Sequence, residues 1–267
     1  MRKLIFFDID GTLVTDNDQH HTIPESTRDA LKSLQQNGHL CFINTGRALS
    51  EIDQSILDLT MDGFVCGCGT GIFYHGKTLF HHTIPFKLGK QILHDLEDCR
   101  LEWLLEGTHS LYYSTETYST RIQTFQEEHR LAFPNAFHQI TPADAGDLDF
   151  DKFCVCRGAD SNLSLFMDKY EKDLDFIDRG NGFYEVVPLG CSKASGIQFL
   201  MKYFDISWED TIAIGDSTND LPMLEYAATS IAMGGSQQIV CDASDFVTDP
   251  ILQDGLKNAF QHFNLID

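Results

Sequence analysis

Lys3-Leu4-Ile5-Phe6-Phe7-Asp8-Ile9-Asp10-Gly11-Thr12 is the stretch that decides the fold. Its first half is an unbroken apolar run, too short for a helix, which is the pattern of a strand buried on both faces of a parallel sheet. The run ends on Asp8 and gives way to a glycine-containing loop. Asp8 and Asp10 are two residues apart, so on an extended backbone both side chains point the same way. Ligands of open α/β sheets gather at the carboxyl ends of the strands, where these two acids stand. Carboxylates forced together raise each other's pKa. A hard cation bound through oxygen relieves that conflict, and magnesium suits a few carboxylates, waters and a phosphate group.

The same grammar continues outward. Thr22-Ile23-Pro24-Glu25 has capping-box spacing, Ala30, Leu31 and Leu34 follow at helical intervals, and Gly38 stands where a helix ends. His39 to Ile43 reads as a second buried strand, a helix is expected from Leu49 to Leu59, and a third strand lies around Gly63 to Cys66. Near the other end come a helix from Ser192 to Phe204, a strand from Thr211 to Ile214, a helix from Leu221 to Ala228 and short strands at Ile231-Ala232-Met233 and Phe246-Val247. Alternating strands and helices predict an α/β fold with a doubly wound, Rossmann-like parallel-sheet core.

Between these halves the pattern changes. Helices are expected at Phe86 to Cys99, Thr117 to Arg130 and Asn162 to Lys172. Strands are expected at Leu101 to Leu105, Leu111 to Ser114 and Phe150 to Cys156. Asp175 to Asp178 and Tyr184 to Val187 flank Gly180-Asn181-Gly182, a hairpin signal. This mixture predicts an inserted α+β domain with an antiparallel sheet, residues 83–185, within a core made of residues 1–82 and 186–267.

A second acidic segment, Gly215-Asp216-Ser217-Thr218-Asn219-Asp220, repeats the logic of the first. If a helix starts there, Asp216 and Asp220 lie side by side. Crowding four acids on one sheet edge costs free energy, so stability alone does not account for it. Asn44-Thr45-Gly46-Arg47 follows the second strand and offers a hydroxyl and backbone N–H groups suited to phosphate oxygens. Lys193 opens the helix after the insertion, where a cation opposes the helix dipole and can neutralise a phosphate and a nucleophile.

The chain of 267 residues has a net charge of −21, which disfavours nucleic acid and anionic membranes as partners. An anionic substrate would then need a local cation. No apolar run is long enough to span a bilayer and no signal-peptide layout opens the chain, so a cytoplasmic protein is expected. The eight cysteines, mostly in apolar runs, read as reduced, buried small hydrophobes.

Asp8-x-Asp10-Gly11-Thr12, Thr45-Gly46-Arg47, Lys193 and Gly215-Asp216-x-x-Asn219-Asp220 together resemble, in order and spacing, the four motifs of the haloacid dehalogenase-like (HAD) superfamily. The place of the insertion, Leu221-Pro222-Met223-Leu224 after Asp220, Ile231-Ala232-Met233-Gly234 and Asp254-Gly255-Leu256 resemble its Cof-type subfamily, class IIB. The resemblance implies a phosphatase acting on small phosphorylated metabolites, such as sugar phosphates. Asp8 would be the nucleophile and Asp10 the acid and base. Magnesium would be held by the Asp8 carboxylate, the Asp10 carbonyl and Asp216. Thr45, Gly46, Lys193 and Asn219 would bind the phosphoryl group, with Asp220 and Arg47 supporting. A phosphotransferase or mutase could use the same aspartyl-phosphate, and a non-catalytic regulator on this fold tends to lose Asp8, Asp10 or Lys193, all of which are present. Two stretches depart from the family pattern: Cys66-Gly67-Cys68-Gly69-Thr70 stands where Asn-Gly-Ala is usual, and Met233-Gly234-Gly235-Ser236 where Met-Gly-Asn-Ala is usual.

Overall fold

The computed structural model describes residues 2–15, 21–114, 119–141 and 148–267. The chain forms two compact units. Met1–Gly46, Ser55–Leu79 and Ser192–Asp267 make the first, and Arg47–Gln54 with Phe80–Cys191 the second.

The first unit is built on a sheet in the order Phe246–Val247, Thr229–Ala232, Thr211–Gly215, Leu4–Phe7, Leu40–Asn44, Gly63–Cys66, Gly71–Tyr74 and Lys77–His81. Its first six strands run parallel. The chain winds from Leu4–Phe7 to one side first and later returns to the other, so the central strand marks the topological switch point. Leu4 to Phe7 are fully buried. Neighbouring side chains on a strand face opposite ways. Phe7 meets Phe260 of helix Gly255–His262 edge-on, with ring centroids 5.9 Å apart. Phe6 packs on Phe42, which touches Phe204 of helix Lys193–Phe204. Helices therefore cover both faces, as continuous apolar strands require.

The second unit holds a six-stranded sheet in the order Leu174–Asp178, Phe183–Pro188, Lys152–Cys156, Glu102–Glu106, Leu111–Ser114, Phe137–Ile140. Four of its pairings are antiparallel, but the last, between Leu111–Ser114 and Phe137–Ile140, is parallel. Helix Thr120–Ala132 makes the crossover between those two strands. Trp103, Leu105, Phe153, Val155 and Val186 form a core with Ile92 and Leu96 of helix Phe86–Asp98 and Phe166 and Tyr170 of helix Leu163–Tyr170.

Several expectations fall differently. The helix expected from Leu49 to Leu59 is a single 3₁₀ turn, Leu49–Glu51, followed by the short helix Gln54–Leu57. The first part joins the second unit, where the Ser50 hydroxyl donates to the Gly107 carbonyl at 2.8 Å. The second unit also begins before Thr83, because His81 and Thr83 both bond to Asp151. It continues past Glu185, which lies inside strand Phe183–Pro188. No capping box forms at Thr22, whose own N–H instead reaches the Thr15 hydroxyl at 2.9 Å. Thr117 and Tyr118, expected at the start of a helix, lie outside the described residues. No helix among the described residues is long and apolar enough to cross a membrane, and none of the eight cysteines forms a disulfide.

Candidate active site

Strand Leu4–Phe7 delivers Asp8 to the carboxyl edge of the first unit's sheet, where the Asp8 N–H bonds the Ile214 carbonyl at 3.0 Å. The chain then turns tightly: the N–H groups of Leu13 and Val14 return to the Ile9 carbonyl, and Gly11 takes φ +77°. A Cβ on Gly11 would lie 2.3 Å from Asp216 Oδ2, so only glycine lets the two acidic segments approach this closely. Gly215 does the same for Asp220, whose carboxylate carbon is 2.5 Å from the place of a Cβ. Lys193 arrives at the start of its helix, which Ser192 and Ser195 cap reciprocally. Its ammonium donates to Asp8 Oδ1 at 2.7 Å and to Asp220 Oδ1 at 2.5 Å.

These groups are out of water: Asp8 is 4% exposed, Lys193 1% and Asp220 0%. Burial, reinforced by Asp220, pushes the Asp8 carboxyl up to about 7 against the opposing pull of Lys193. Burial and then the negative fields of Asp8 and Asp220 push Asp216 up to about 8. Burial alone would drive the proton off Lys193, but Asp220 and Asp8 outweigh it and hold the ammonium well above its ordinary pKa. Lys193 is therefore a permanent cation, and the acids around it still carry an excess of negative charge.

Oxygens of Asp8, Asp216 and Asp220 lie within 4.8 Å of one another. Asp220 is committed elsewhere, with Oδ1 taking Lys193 and Oδ2 accepting the N–H groups of Asp216 at 2.9 Å and Ser217 at 3.0 Å. The oxygens left for a cation thus belong to Asp8 and Asp216. An all-oxygen set of few carboxylates, each forced toward its neutral form by burial and then by its neighbours, fits a hard divalent ion such as magnesium.

The remaining expected residues are placed as follows. Asp10 is half-buried in the turn and adds to the field that raises Asp8. Thr45, 2% exposed, follows strand Leu40–Asn44; its N–H bonds Val65 and its carbonyl accepts from the Cys68 N–H at 3.1 Å. Gly46 follows at the same strand end. Asn219 takes a hydrogen bond from the Ser217 hydroxyl on its Oδ1. Arg47 belongs to the second unit, where it reaches Asp53 at 3.7 Å and the Glu51 carbonyl at 3.3 Å.

Two further side chains, Thr12 and Asn44, stand in the quoted segments without a role assigned from sequence. The Thr12 hydroxyl donates to Asp216 Oδ1 at 3.3 Å. Asn44, fully buried, donates to the Lys193 carbonyl at 2.9 Å and so ties the second strand to the lysine's helix. The signal for Asn44 was in Leu40-Cys41-Phe42-Ile43-Asn44, a polar amide closing an otherwise apolar strand.

Both departures from the family pattern include a residue with positive φ. Cys68 is held at φ 52°, ψ 41°, a left-handed conformation that asparagine accepts readily. Gly235 has φ +96°, which glycine supplies as well as an asparagine would.

Known proteins resemble this chain over nearly its whole length. The sequence model for haloacid dehalogenase-like hydrolases matches residues 5–260. YkrA of Bacillus subtilis (strain 168) is 29% identical over 271 residues, covering 99% of this chain and 98% of that protein. The 5-amino-6-(5-phospho-D-ribitylamino)uracil phosphatase YcsE of the same organism is 26% identical over 265 residues, 98% of this chain and 96% of its own. The solved structure of the HAD subclass IIB sugar phosphatase BT4131 is similar with a TM-score of 0.83 at 26% identity, over 99% of this chain and 100% of that one. With the family match spanning nearly the whole sequence, the chain belongs to the haloacid dehalogenase-like hydrolases, and among them to the Cof-type enzymes.

Proposed function

We propose that this phosphatase hydrolyses small phosphate monoesters of the sugar-phosphate kind, in a magnesium-dependent reaction that passes the phosphoryl group through Asp8. The observation that carries the reading is the buried Asp8 carboxylate, held 2.7 Å from a Lys193 ammonium at the carboxyl end of the central strand. The names of relatives such as YcsE and BT4131 support a phosphorylated metabolite as substrate.

In this reading an Asp8 oxygen attacks phosphorus in line as the bond to the leaving oxygen breaks, and Asp10 gives that oxygen its proton. Water then attacks the same phosphorus, Asp10 takes the water's proton, and the Asp8–phosphorus bond breaks to release inorganic phosphate. Lys193, the Thr45 hydroxyl, the Gly46 N–H and Asn219 bind phosphoryl oxygens, with Asp220 holding Lys193 in place. Charge stabilisation at the transferring group is the largest contribution expected of such a site. Magnesium held by Asp8, the Asp10 carbonyl and Asp216 would supply positive charge to those oxygens and keep Asp8 ionised.

The test is phosphate release from a broad panel of phosphorylated metabolites, with magnesium and with EDTA. Release that requires magnesium and disappears in Asp8→Asn supports the reading. Full activity in Asp8→Asn, or no release from any ester, contradicts it. A labelled phosphoryl group recovered mainly on another hydroxyl rather than as inorganic phosphate would assign phosphotransfer instead.

A further inference from the structure

Alternation along strands Glu102–Glu106, Lys152–Cys156 and Phe183–Pro188 places Glu106, Lys152 and Glu185 on the face that also carries Leu104, Cys154 and Phe183. Lys152 stands opposite Glu106 in the register, and Glu185 pairs with the next inward position of the same strand, Cys154. All three ionisable side chains are buried, at 4%, 2% and 5% exposure for Glu106, Lys152 and Glu185. The Lys152 ammonium donates to Glu185 Oε1 at 2.6 Å and is paired with Glu106 Oε2. Apolar side chains of similar volume would usually hold a sheet face at least as well as a buried ion cluster. The cluster therefore calls for a role besides packing.

A third carboxylate feels the field of this cluster from outside the sheet. Glu51, 6% exposed, is carried on Arg47–Gln54, the short segment that belongs to this unit although the chain on either side of it does not. Burial raises the Glu51 carboxyl, and the strongest influence opposing that is the Lys152 ammonium, followed by the Ala48 N–H and Arg47. Polar contacts order the segment and tie it to its unit. The Ala48 N–H donates to Glu51 Oε2 at 2.7 Å, Arg47 donates to the Glu51 carbonyl at 3.3 Å, and Ser50 bonds Gly107. Glu51 Oε1 lies 3.5 Å from His129 Nε2, and His129 Nδ1 is 2.9 Å from the Tyr113 hydroxyl. Glu51 thus joins the segment's own backbone to the His129–Tyr113 pair, within the field of Lys152.

Arg47–Gln54 starts one peptide bond after Thr45-Gly46. We propose that Glu51 is a positioning residue, which fastens this segment beside His129 of helix Thr120–Ala132 and thereby fixes the backbone that leaves the phosphoryl-binding turn. The proposal rests on the assignment of Thr45 and Gly46 to phosphoryl oxygens made above.

The experiment uses the full chain and compares the wild type with Glu51→Ala and Glu51→Gln. Peptide-resolved hydrogen exchange reads residues 44–54 against the strand Lys152–Cys156, and orthovanadate inhibition of magnesium-dependent p-nitrophenyl phosphate hydrolysis reads the phosphoryl site. Glu51→Ala is expected to speed exchange at 44–54 and raise the vanadate inhibition constant by about tenfold each, the scale of one lost charge-assisted hydrogen bond. Exchange in Lys152–Cys156 and half-saturating magnesium should stay within about twofold, and Glu51→Gln, which keeps an acceptor for Ala48, should fall between. Unchanged exchange at 44–54, or equal acceleration of the whole unit, overturns the proposal, as does unchanged vanadate inhibition in an active variant. A wild type without turnover contradicts the phosphatase reading instead, and the exchange measurement still decides whether Glu51 holds the segment.

Discussion

Replacing Lys193 with methionine keeps the length of the side chain and removes the charge that two buried carboxylates share. Its ammonium is 2.7 Å from Asp8 and 2.5 Å from Asp220, and Lys193 itself is 1% exposed. Removing one partner of a buried ion pair costs about 3–5 kcal/mol, because the other charge is left uncompensated. Asp220 retains two backbone N–H donors, from Asp216 and Ser217, so the loss falls chiefly on Asp8 and is not doubled. At about 2–4 °C per kcal/mol for a chain of this size, the melting point of Lys193→Met should drop by roughly 10 °C near pH 8 in EDTA. The sign of the pH dependence follows from Asp8. Its folded pKa is already raised to about 7, so the native state binds a proton that the unfolded state has released. Stability from this group is greatest at low pH and is lost as pH rises through that value, and without Lys193 the loss is deeper. Near pH 5, Asp8 is neutral in both proteins, and the gap should shrink to about 1–2 kcal/mol, the worth of an ordinary hydrogen bond with its packing. Calorimetric melts of the two proteins at both pH values measure it directly. A gap that is the same at both pH values, or absent near pH 8, would refute the electrostatic reasoning.

Gly11→Ala places a Cβ 2.3 Å from Asp216 Oδ2 at a backbone φ of +77°; it should cost about 1–2 kcal/mol of stability and weaken magnesium binding by titration calorimetry. Because Asp8 and Asp216 are raised to about 7 and about 8, magnesium must displace protons. Its apparent affinity should therefore rise from about pH 6 to pH 8, by up to about tenfold per pH unit for each proton displaced; calorimetry in buffers of different ionisation heat counts those protons, and a flat profile would contradict the crowding. Burial pushes Glu106 up to about 8, so it contributes a loss of stability as pH rises from the ordinary carboxylate range through that value. Glu106→Gln should flatten that decline in EDTA melts, and an unchanged slope would count against a buried proton there.

What the sequence showed best were groups at the ends of buried parallel strands. Leu4–Phe7, Leu40–Asn44 and Thr211–Gly215 read as strands because a strand covered on both faces is apolar throughout. Topology then puts the acids of the two motifs, Asp8, Asp10, Asp216 and Asp220, on one sheet edge, whereas Lys193, at the start of a helix, is joined to them in the sequence through the resemblance to the family's motifs. Elements stabilised by local turns or by distant partners were harder. Gly71–Tyr74 and Lys77–His81 form a hairpin whose turn, His75-Gly76, has φ values of 45° and 74°; the glycine was visible, but the flanking strands are short and partly exposed. Phe137–Ile140 is an edge strand of mixed polarity with no alternation to betray it. Leu49–Leu59 has helical composition, yet Ser50 and Glu51 are bound to Gly107 and His129, groups that sequence spacing does not reveal. Charged residues within strands, such as Lys152 and Glu185, look like solvent-facing positions until the register brings them together.

The central claim is that the phosphoryl group becomes covalently attached to Asp8. Acid quenching during turnover of a phosphate ester with magnesium, followed by borohydride reduction and peptide mapping, tests it directly, since reduction of an aspartyl phosphate yields homoserine at the modified position. The account predicts homoserine at position 8, absent when magnesium or the ester is omitted. Sustained turnover with an unmodified Asp8, or with the mark on another residue, would contradict it.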